Sequence, residues 1–583
     1  RRIPPAVRHC DGMSRVVARV LVAVIALTAC QAPLGRPTPS ATAPPVSPIR
    51  GGRLVEGAFA DAKTFAPFLA NDPTSLTVSG LVYDSLFRVD AKTGEIKPNL
   101  GTWTVSADGR TYNWKIEPGA VWSDGSPITG QDYLTGVKAV ARSKKAIRVA
   151  SMQDIVGFDE YRSSLAQTIT GITIDPADPK SFSVRFKRVF CPALTSAFGP
   201  AAGPLPTQVY AKYTGPDDSG PKIDDAPENK APPVASGPFL FKSWKPNDQI
   251  MLDRNDRYYR GTPYLDGYVL KIVGDVTTLA AQLRSGEINF GTIEPKDLVD
   301  IKKRDTLRVY SYPDLSYNYI GWNVRSPSAP ALADKRVRQA LAYGLDMNAV
   351  VQQVLYGQGS RVFEHHIAAS WASAESSSLN RYPYDPVQSG QLIRQAGYTL
   401  GADGYYQRDG KSLQLTIMTN SGNKVRETLL QTAIDQYKLI GVKVAPRLVP
   451  FDTMVDILSN RSEDVSAWII GWKLNVEPDP YGIFHSNSIP DPAKKTTGYN
   501  FGAWSSAEAD KAIDAARTPA SADCTEATRK KNYEAFNRLV NEEQPYDFGF
   551  APTTLLVAPH DLRGLDPGTF ATYNDIEKWW LAR

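Results

Sequence analysis

The sequence predicts an α/β protein of more than one domain, with a doubly wound lobe in its second half and a small β-rich subdomain near its start. Three observations carry this. A chain of 583 residues exceeds what one hydrophobic core serves, so two or three domains are expected. Between Leu413 and Ile470, strand-like alternation and helix-like spacing follow one another, the pattern of a sheet with helices on its faces. Between Trp103 and Gly125, two Asp-Gly turns separate short alternating strands.

Composition narrows the class of partner. A hydrophobic content of 42% with 11 Trp supplies several cores. The formal charge of +5 is misleading, because residues 1–50 hold seven Arg against one Asp and leave about −1 for the remainder. No basic surplus is left to seek phosphate, so nucleic acid is not an expected partner.

Taken in order, the chain opens with Arg15 and Arg19 before the apolar run Val20 to Leu27, too short to span a bilayer and read as the core of a signal peptide over residues 1–29. Met13 is the natural start, which makes residues 1–12 an over-extended beginning. Leu27, Thr28, Ala29 and Cys30 resemble the lipobox of bacterial lipoproteins, which implies cleavage before Cys30 and acylation of its thiol. Gln31 to Ile49, rich in Pro, Ala, Thr and Ser, reads as a disordered spacer that holds the body off the membrane. Cys191 and Cys524 remain in the body, either as one disulfide or as two buried free thiols.

Leu54 to Phe59 reads as a strand and Leu76 to Leu86 as a helix. The subdomain of Asp-Gly turns follows, then a hairpin of Ile172 to Ile174 with Phe182 to Phe186, and a long surface loop from Thr214 to Pro233. Phe239, Phe241 and Trp244 form a strand that turns at Pro246 to Asp248 into Ile250 and Leu252. Tyr268 to Val273 is a further strand, and Val276 to Leu283 a helix ended by Ser285 and Gly286. Tyr317, Tyr319, Ile320, Trp322 and Asn323 form an aromatic strand, taken as the first crossing between lobes. Asp334, Asp346 and Asp385 cap helices, the last with Pro386 in the first turn, while Gly357 and Gly397 end the second and third. Gly404 to Ser412 mimics a phosphate-binding loop but has one residue too many, and Asp409-Gly410 is a hairpin turn. Beyond Leu413 come a helix from Val425 to Ile440 stopped by Gly441, a strand from Val442 to Val449, a helix from Phe451 to Leu458 and the apolar run Val465 to Ile470. Helices at Ser506 to Ala516 and Glu526 to Asn541 close the pattern.

Several of these segments together resemble the peptide/nickel type of extracellular solute-binding proteins, the capture components of ABC importers. The residues that carry it are Gly237, Pro238, Phe239 and Trp244; the loop Asn255 to Leu265 with Tyr258, Tyr259, Gly261 and Pro263; Ser285, Gly286 and Glu287; Tyr83 to Phe87; and Trp122 to Gly125 followed by Asp132. The resemblance covers nearly everything from Gly51 onward. It implies a two-lobed, periplasmic-binding-protein-like α/β fold, with lobe I over 51–85, 190–320 and 550–583, a β-rich subdomain inserted at 86–189, and lobe II over 321–549. It also implies a monomer without cofactor or enzymatic activity, lipid-anchored outside the cytoplasm, which closes on an oligopeptide and delivers it to a membrane permease.

The ligand is expected at Gly471 to Pro480, beyond the carboxyl end of a strand, where open α/β sheets bind. In peptide-binding members of the family an aspartate a few residues past this Gly-Trp pairs with the ligand's α-ammonium. Counting from Trp472, that position is Asn475, and Glu477 or Asp479 takes the role if the loop is one residue longer. Trp472, Tyr317, Tyr319 and Trp322 complete the expected site. Read without the resemblance, Trp472 is a core aromatic and the two carboxylates a solvated pair. Rival ligands in the same fold are a nickel or haem complex, for which adjacent His365 and His366 are candidates although such a pair is more often solvated, and an oligosaccharide stacking on aromatic rings. A secreted hydrolase is the reading from another class; the sequence has no Gly-x-Ser-x-Gly elbow and no His-Glu-x-x-His pair.

Overall fold

A computed structural model describes residues 47–582 apart from 147, 148, 218, 375–378, 492, 494, 495 and 497. The signal segment, Cys30 and nearly all of the spacer lie outside the described residues.

The first half is built on a four-stranded sheet in the order Arg53–Ala58, Gly267–Ile272, Gln249–Arg254, Phe239–Lys245. Strand Arg53–Ala58 lies parallel to Gly267–Ile272, while the hairpin is antiparallel and turns at Asn247, whose φ of 58° is the left-handed value that asparagine tolerates. Inserted between these strands is a second antiparallel sheet, Gly101–Val105, Thr111–Ile116, Ser181–Arg185, Ile172–Ile174. Helix Gly130–Arg142 covers it, started by a capping box of Thr129 and Asp132. Trp114, Phe182, Tyr133 and Phe198 pack between sheet and helix. Gly136 lets that helix seat, since a Cβ there would stand 2.2 Å from the Gly203 carbonyl oxygen. The segment expected as a surface loop is partly inward: Asn229 is buried and its carbonyl accepts bonds from Phe65 N–H (2.7 Å) and the Thr64 hydroxyl (3.0 Å).

The second half is an eight-stranded sheet. Its main order is Gly291–Thr292, Tyr546–Pro559, Ser316–Trp322, Ala467–Lys473, Gln414–Asn420, Lys443–Val449, and Leu307–Pro313 and Gly359–Arg361 also pair with the long strand. The last three of the main order are mutually parallel, joined through helices Lys424–Leu439 and Phe451–Asn460. These three strands with their crossover helices are the doubly wound part expected, and Ser316–Trp322, antiparallel to Ala467–Lys473, extends them into a mixed sheet. The reason is connectivity. Two crossover helices let their strands run parallel, whereas Ser316–Trp322 continues the direction of Leu307–Pro313 along Tyr546–Pro559 and is antiparallel to it.

The 14-residue strand Tyr546–Pro559 changes partners along its length. Its Thr553–Pro559 part pairs with Leu307–Pro313, and its Tyr546–Phe550 part with Asn318 to Gly321. The exchange of partners falls at Asp314 and Leu315 on one side and at Ala551 and Pro552 on the other, where the Asp314 N–H donates to the Pro552 carbonyl (2.9 Å). Ser316–Trp322, expected as the first crossing between lobes, begins directly past this exchange.

One buried group in this strand sets a pH dependence. Asp547 is 2% exposed, and its Oδ2 has no hydrogen-bond partner among the described residues. Burial pushes its pKa up to about 7, with Arg361 opposing only in part. Because the unfolded carboxyl titrates near about 4, the native state binds this proton more tightly, and the contribution to stability declines as pH rises from about 4 to about 7. Asp547→Asn is expected to raise the melting temperature at about pH 8 and to raise it much less at about pH 5, as read by calorimetry at both values.

Candidate functional site

The segment Gly471 to Pro480 leaves the carboxyl end of Ala467–Lys473 and turns toward the first half of the molecule. Asn475, Val476, Glu477 and Asp479, with Arg517 from helix Ala507–Arg517, form one wall of a cavity of about 410 Å³. Phe87, Val89, Phe190, Pro192, Thr195 and Pro200 are among the residues of the opposite wall. The cavity thus has one wall from the second half of the chain and the other from the first, and the loop that sequence reasoning selected supplies the polar side of it.

Its charges are arranged in pairs. Glu477 Oε1 accepts from Arg529 Nη2, and Glu477 Oε2 accepts from the Thr195 hydroxyl (3.0 Å) across the cavity. Arg529 is 6% exposed and also donates to the Ala516 carbonyl (2.9 Å) and the Tyr533 hydroxyl (2.9 Å). Burial raises the Glu477 pKa and Arg529 opposes this; for Arg529, burial acts against the charge and Glu477 outweighs it, so the guanidinium stays protonated. Asp479 Oδ2 accepts from Arg517 Nε (2.8 Å), and its Oδ1 from the Tyr481 N–H (3.0 Å). The Arg517 guanidinium lies 4.1 Å from the centroid of Tyr481 and 5.0 Å from that of Phe190, a cation held between two ring systems. Asn475 is exposed, and among the described residues its side chain has no hydrogen-bond partner.

The two halves are also joined covalently here. Cys191 and Cys524 form a disulfide with Cα atoms 5.2 Å apart, resolving the alternatives the sequence left open. The Cys191 N–H donates to the Arg517 carbonyl (2.9 Å). One rim of the cavity is therefore fixed by a covalent bond, a backbone hydrogen bond and the Thr195–Glu477 contact.

The aromatic candidates lie elsewhere. Tyr317, Tyr319 and Trp322 are fully buried, the tyrosines on one face of the sheet and Trp322 on the other, and none lines the cavity. A central strand between two covered faces buries both sets of alternate side chains, so alternation exposes none of them. Trp472 is half-buried, its ring stacked 6.1 Å from Tyr319 and 6.1 Å from Phe501, and it too stays outside the cavity lining. His365 and His366 are buried and not solvated as expected. His365 Nδ1 bonds the Tyr317 hydroxyl (2.9 Å), while His366 bonds Asn537 through Nδ1 (3.1 Å) and the Pro478 carbonyl through Nε2 (2.7 Å). Burial drives both imidazoles toward the neutral form, His366 to about 4. His366 supports the loop by holding Pro478 between the two ion-paired carboxylates, while His365 is tied to strand Ser316–Trp322 through Tyr317. Among the described residues no group of three or more His, Cys, Asp or Glu is placed to hold a metal ion, and no helix is long and apolar enough to cross a membrane.

Sequence reasoning missed Thr195, Arg517 and Arg529. Arg529 and Tyr533 share a helix face by their four-residue spacing, but nothing local links Arg529 to Glu477, 52 positions away.

Two α/β halves, with a cavity walled from both, define the class as a two-lobed α/β binding protein. Residues 95–494 match the family model of bacterial extracellular solute-binding proteins, family 5 Middle. The chain is 30% identical over 540 residues to the oligopeptide-binding protein AppA of Bacillus subtilis, covering 92% of this chain and 93% of the relative. The solved structure of that AppA in complex with a nonapeptide superposes with a TM-score of 0.72, at 29% identity, over 92% of this chain and 100% of that one. NikZ from Campylobacter jejuni in complex with Ni(L-His) shares the fold, with a TM-score of 0.72 at 22% identity over 91% of this chain and 99% of that one. The chain belongs to the bacterial extracellular solute-binding protein family 5, whose members bind solutes for ABC transporters and are not enzymes.

Proposed function

We propose that this chain is the oligopeptide-capturing component of an ABC importer, anchored through Cys30 to the outer face of a membrane. The observation that carries the peptide reading is the cavity walled by both lobes in a chain that is similar over almost its whole length to an oligopeptide-binding protein. Capture follows from hinge motion. The exchange of strand partners at Asp314 and Leu315 and at Ala551 and Pro552 is the place where two lobes rotate with the least loss of sheet pairing. An extended peptide satisfies its main-chain groups against the lobes while side chains occupy wet, roomy pockets, which tolerates varied sequence. The closed form is then the one a permease recognises. Because His365 and His366 are committed to internal bonds, they supply nothing to a nickel or haem complex.

The test is native mass spectrometry of residues 51–583 purified from bacterial cells. Heterogeneous peptides released on unfolding are the expected result and would give the preferred length. A protein that carries a sugar or a metal complex, and whose melting temperature a mixed peptide library leaves unmoved, would overturn the reading.

A further inference from the structure

The hydrogen-bonding capacity that the cavity leaves unspent narrows the ligand, and this step rests on the peptide reading above. Each carboxylate oxygen of the polar wall already accepts a bond from the protein: those of Glu477 from Arg529 and Thr195, those of Asp479 from Arg517 and the Tyr481 N–H. The cations are not engaged to the same degree. Arg529 is buried behind the wall and donates to Glu477, Ala516 and Tyr533. Arg517 lines the cavity with 20% of its side chain exposed and spends only Nε, on Asp479. Among the described residues its Nη1 and Nη2 groups have no hydrogen-bond partner.

The position of this guanidinium is set before any ligand arrives. Asp479 holds its Nε, and the rings of Tyr481 and Phe190 hold the cation at 4.1 and 5.0 Å from their centroids. A fixed pair of Nη groups matches the two oxygens of a carboxylate, and bonds charged on both sides are stronger than those to a neutral carbonyl. A carboxylate meeting it displaces no protein group. An ammonium would instead compete at Glu477 or Asp479 with cations already in place, and beside the charge of Arg517. We propose that Arg517 is a specificity-determining contact for an anionic group of the ligand: the cavity takes a carboxylate of the bound peptide, terminal or side-chain, on Nη1 and Nη2, while Asp479 keeps Nε. Phe87, Val89 and Val476 line the same cavity and suit the apolar part of the peptide beside that carboxylate.

Four nonapeptide libraries separate the two sources of the carboxylate: free or amidated at the C-terminus, each with or without Asp and Glu at the varied positions. Their affinities for the wild-type protein are compared by competition mass spectrometry. The library lacking the carboxylate that the cavity takes is expected to bind about tenfold or more weakly. A loss on amidation assigns the terminal group, and a loss on omitting Asp and Glu assigns a side chain. Equal affinity for all four libraries would overturn the inference and leave the peptide reading intact. In Arg517→Gln the difference between libraries is expected to vanish, and its undiminished persistence would overturn the assignment to Arg517. Because Arg517 also holds Asp479, the melting temperature of that variant is measured first, and Asn475→Asp gives a second reading from an exposed position on the same wall. That variant is expected to weaken the carboxylate-bearing library more than the neutral one; equal effects on both would count against an anion in the cavity and overturn the inference. Absence of binding by all four libraries to the wild-type protein would sink the peptide reading itself, and this inference with it.

Discussion

Replacing Cys191 and Cys524 together by serine is expected to lower the melting temperature substantially and to accelerate ligand release. The bond closes a loop of 333 residues, for which the chain-entropy account gives a contribution of about 6 kcal/mol, slightly above the range that disulfides deliver. The second effect is mechanical. In the hinge motion proposed above, the strand connections at Asp314–Leu315 and Ala551–Pro552 join the lobes, and the disulfide ties them again at the cavity rim beside Thr195 and Arg517. With three points of attachment, rotation that separates this rim is blocked, and a ligand leaves by the unfastened side of the cleft or by a smaller motion. Without the bond the wider motion becomes available. Stopped-flow release of a fluorescent nonapeptide, compared between the wild-type protein and the C191S/C524S variant, measures the effect directly. Equal release rates together with equal melting temperatures would refute the assignment of a clasp.

The other large effect is expected at Arg529. In Arg529→Ala the Glu477 carboxylate keeps its buried position, with 14% of its side chain exposed, and loses its cation, at a cost of about 3–5 kcal/mol. The sign of the pH dependence is a further check. Burial raises the Glu477 pKa, so without Arg529 the native state holds its proton still more tightly than the unfolded chain does, and the variant loses stability as pH rises above the ordinary carboxylate range. Denaturant titrations at about pH 5 and about pH 8 should therefore show a larger deficit at the higher pH. Replacing both partners by apolar residues of similar volume, Arg529→Met with Glu477→Leu, should cost less than the single change. A single variant as stable as the wild type would show that the pair is solvated in solution.

Much of the architecture was written in local patterns. Asp334, Asp346 and Asp385 cap their helices, Asp409-Gly410 turns a hairpin with φ of 53° and 73°, and Gly441 ends a helix at φ 74°, all as their chemistry requires. The loop holding Asn475, Glu477 and Asp479 was selected by the family resemblance together with its place past a buried strand, and it lines the cavity; read without that resemblance, its two carboxylates were a solvated pair. What local pattern does not encode is partnership across the chain. Thr195 and Arg529 meet Glu477 from 282 and 52 residues away, and the aromatic strand Ser316–Trp322 looked like a ligand surface until its neighbours on both faces were known. The two histidines misled for the same reason, since an irregular segment appears solvated until helix Glu526–Glu543 is packed over it through Asn537.

The long strand Tyr546–Pro559 also orders events in time. It supplies pairing partners to Gly291–Thr292, Leu307–Pro313, Ser316–Trp322 and Gly359–Arg361, so four earlier segments wait for a strand near the end of the chain. A polypeptide that emerges N-terminus first, from a ribosome or through a secretion pore, cannot complete the large sheet until residue 559 is free, and Cys191 stays unpaired until Cys524 follows it. A chain still emerging is thereby kept open by its own topology, because the element that commits the molecule to its native form is among the last to arrive.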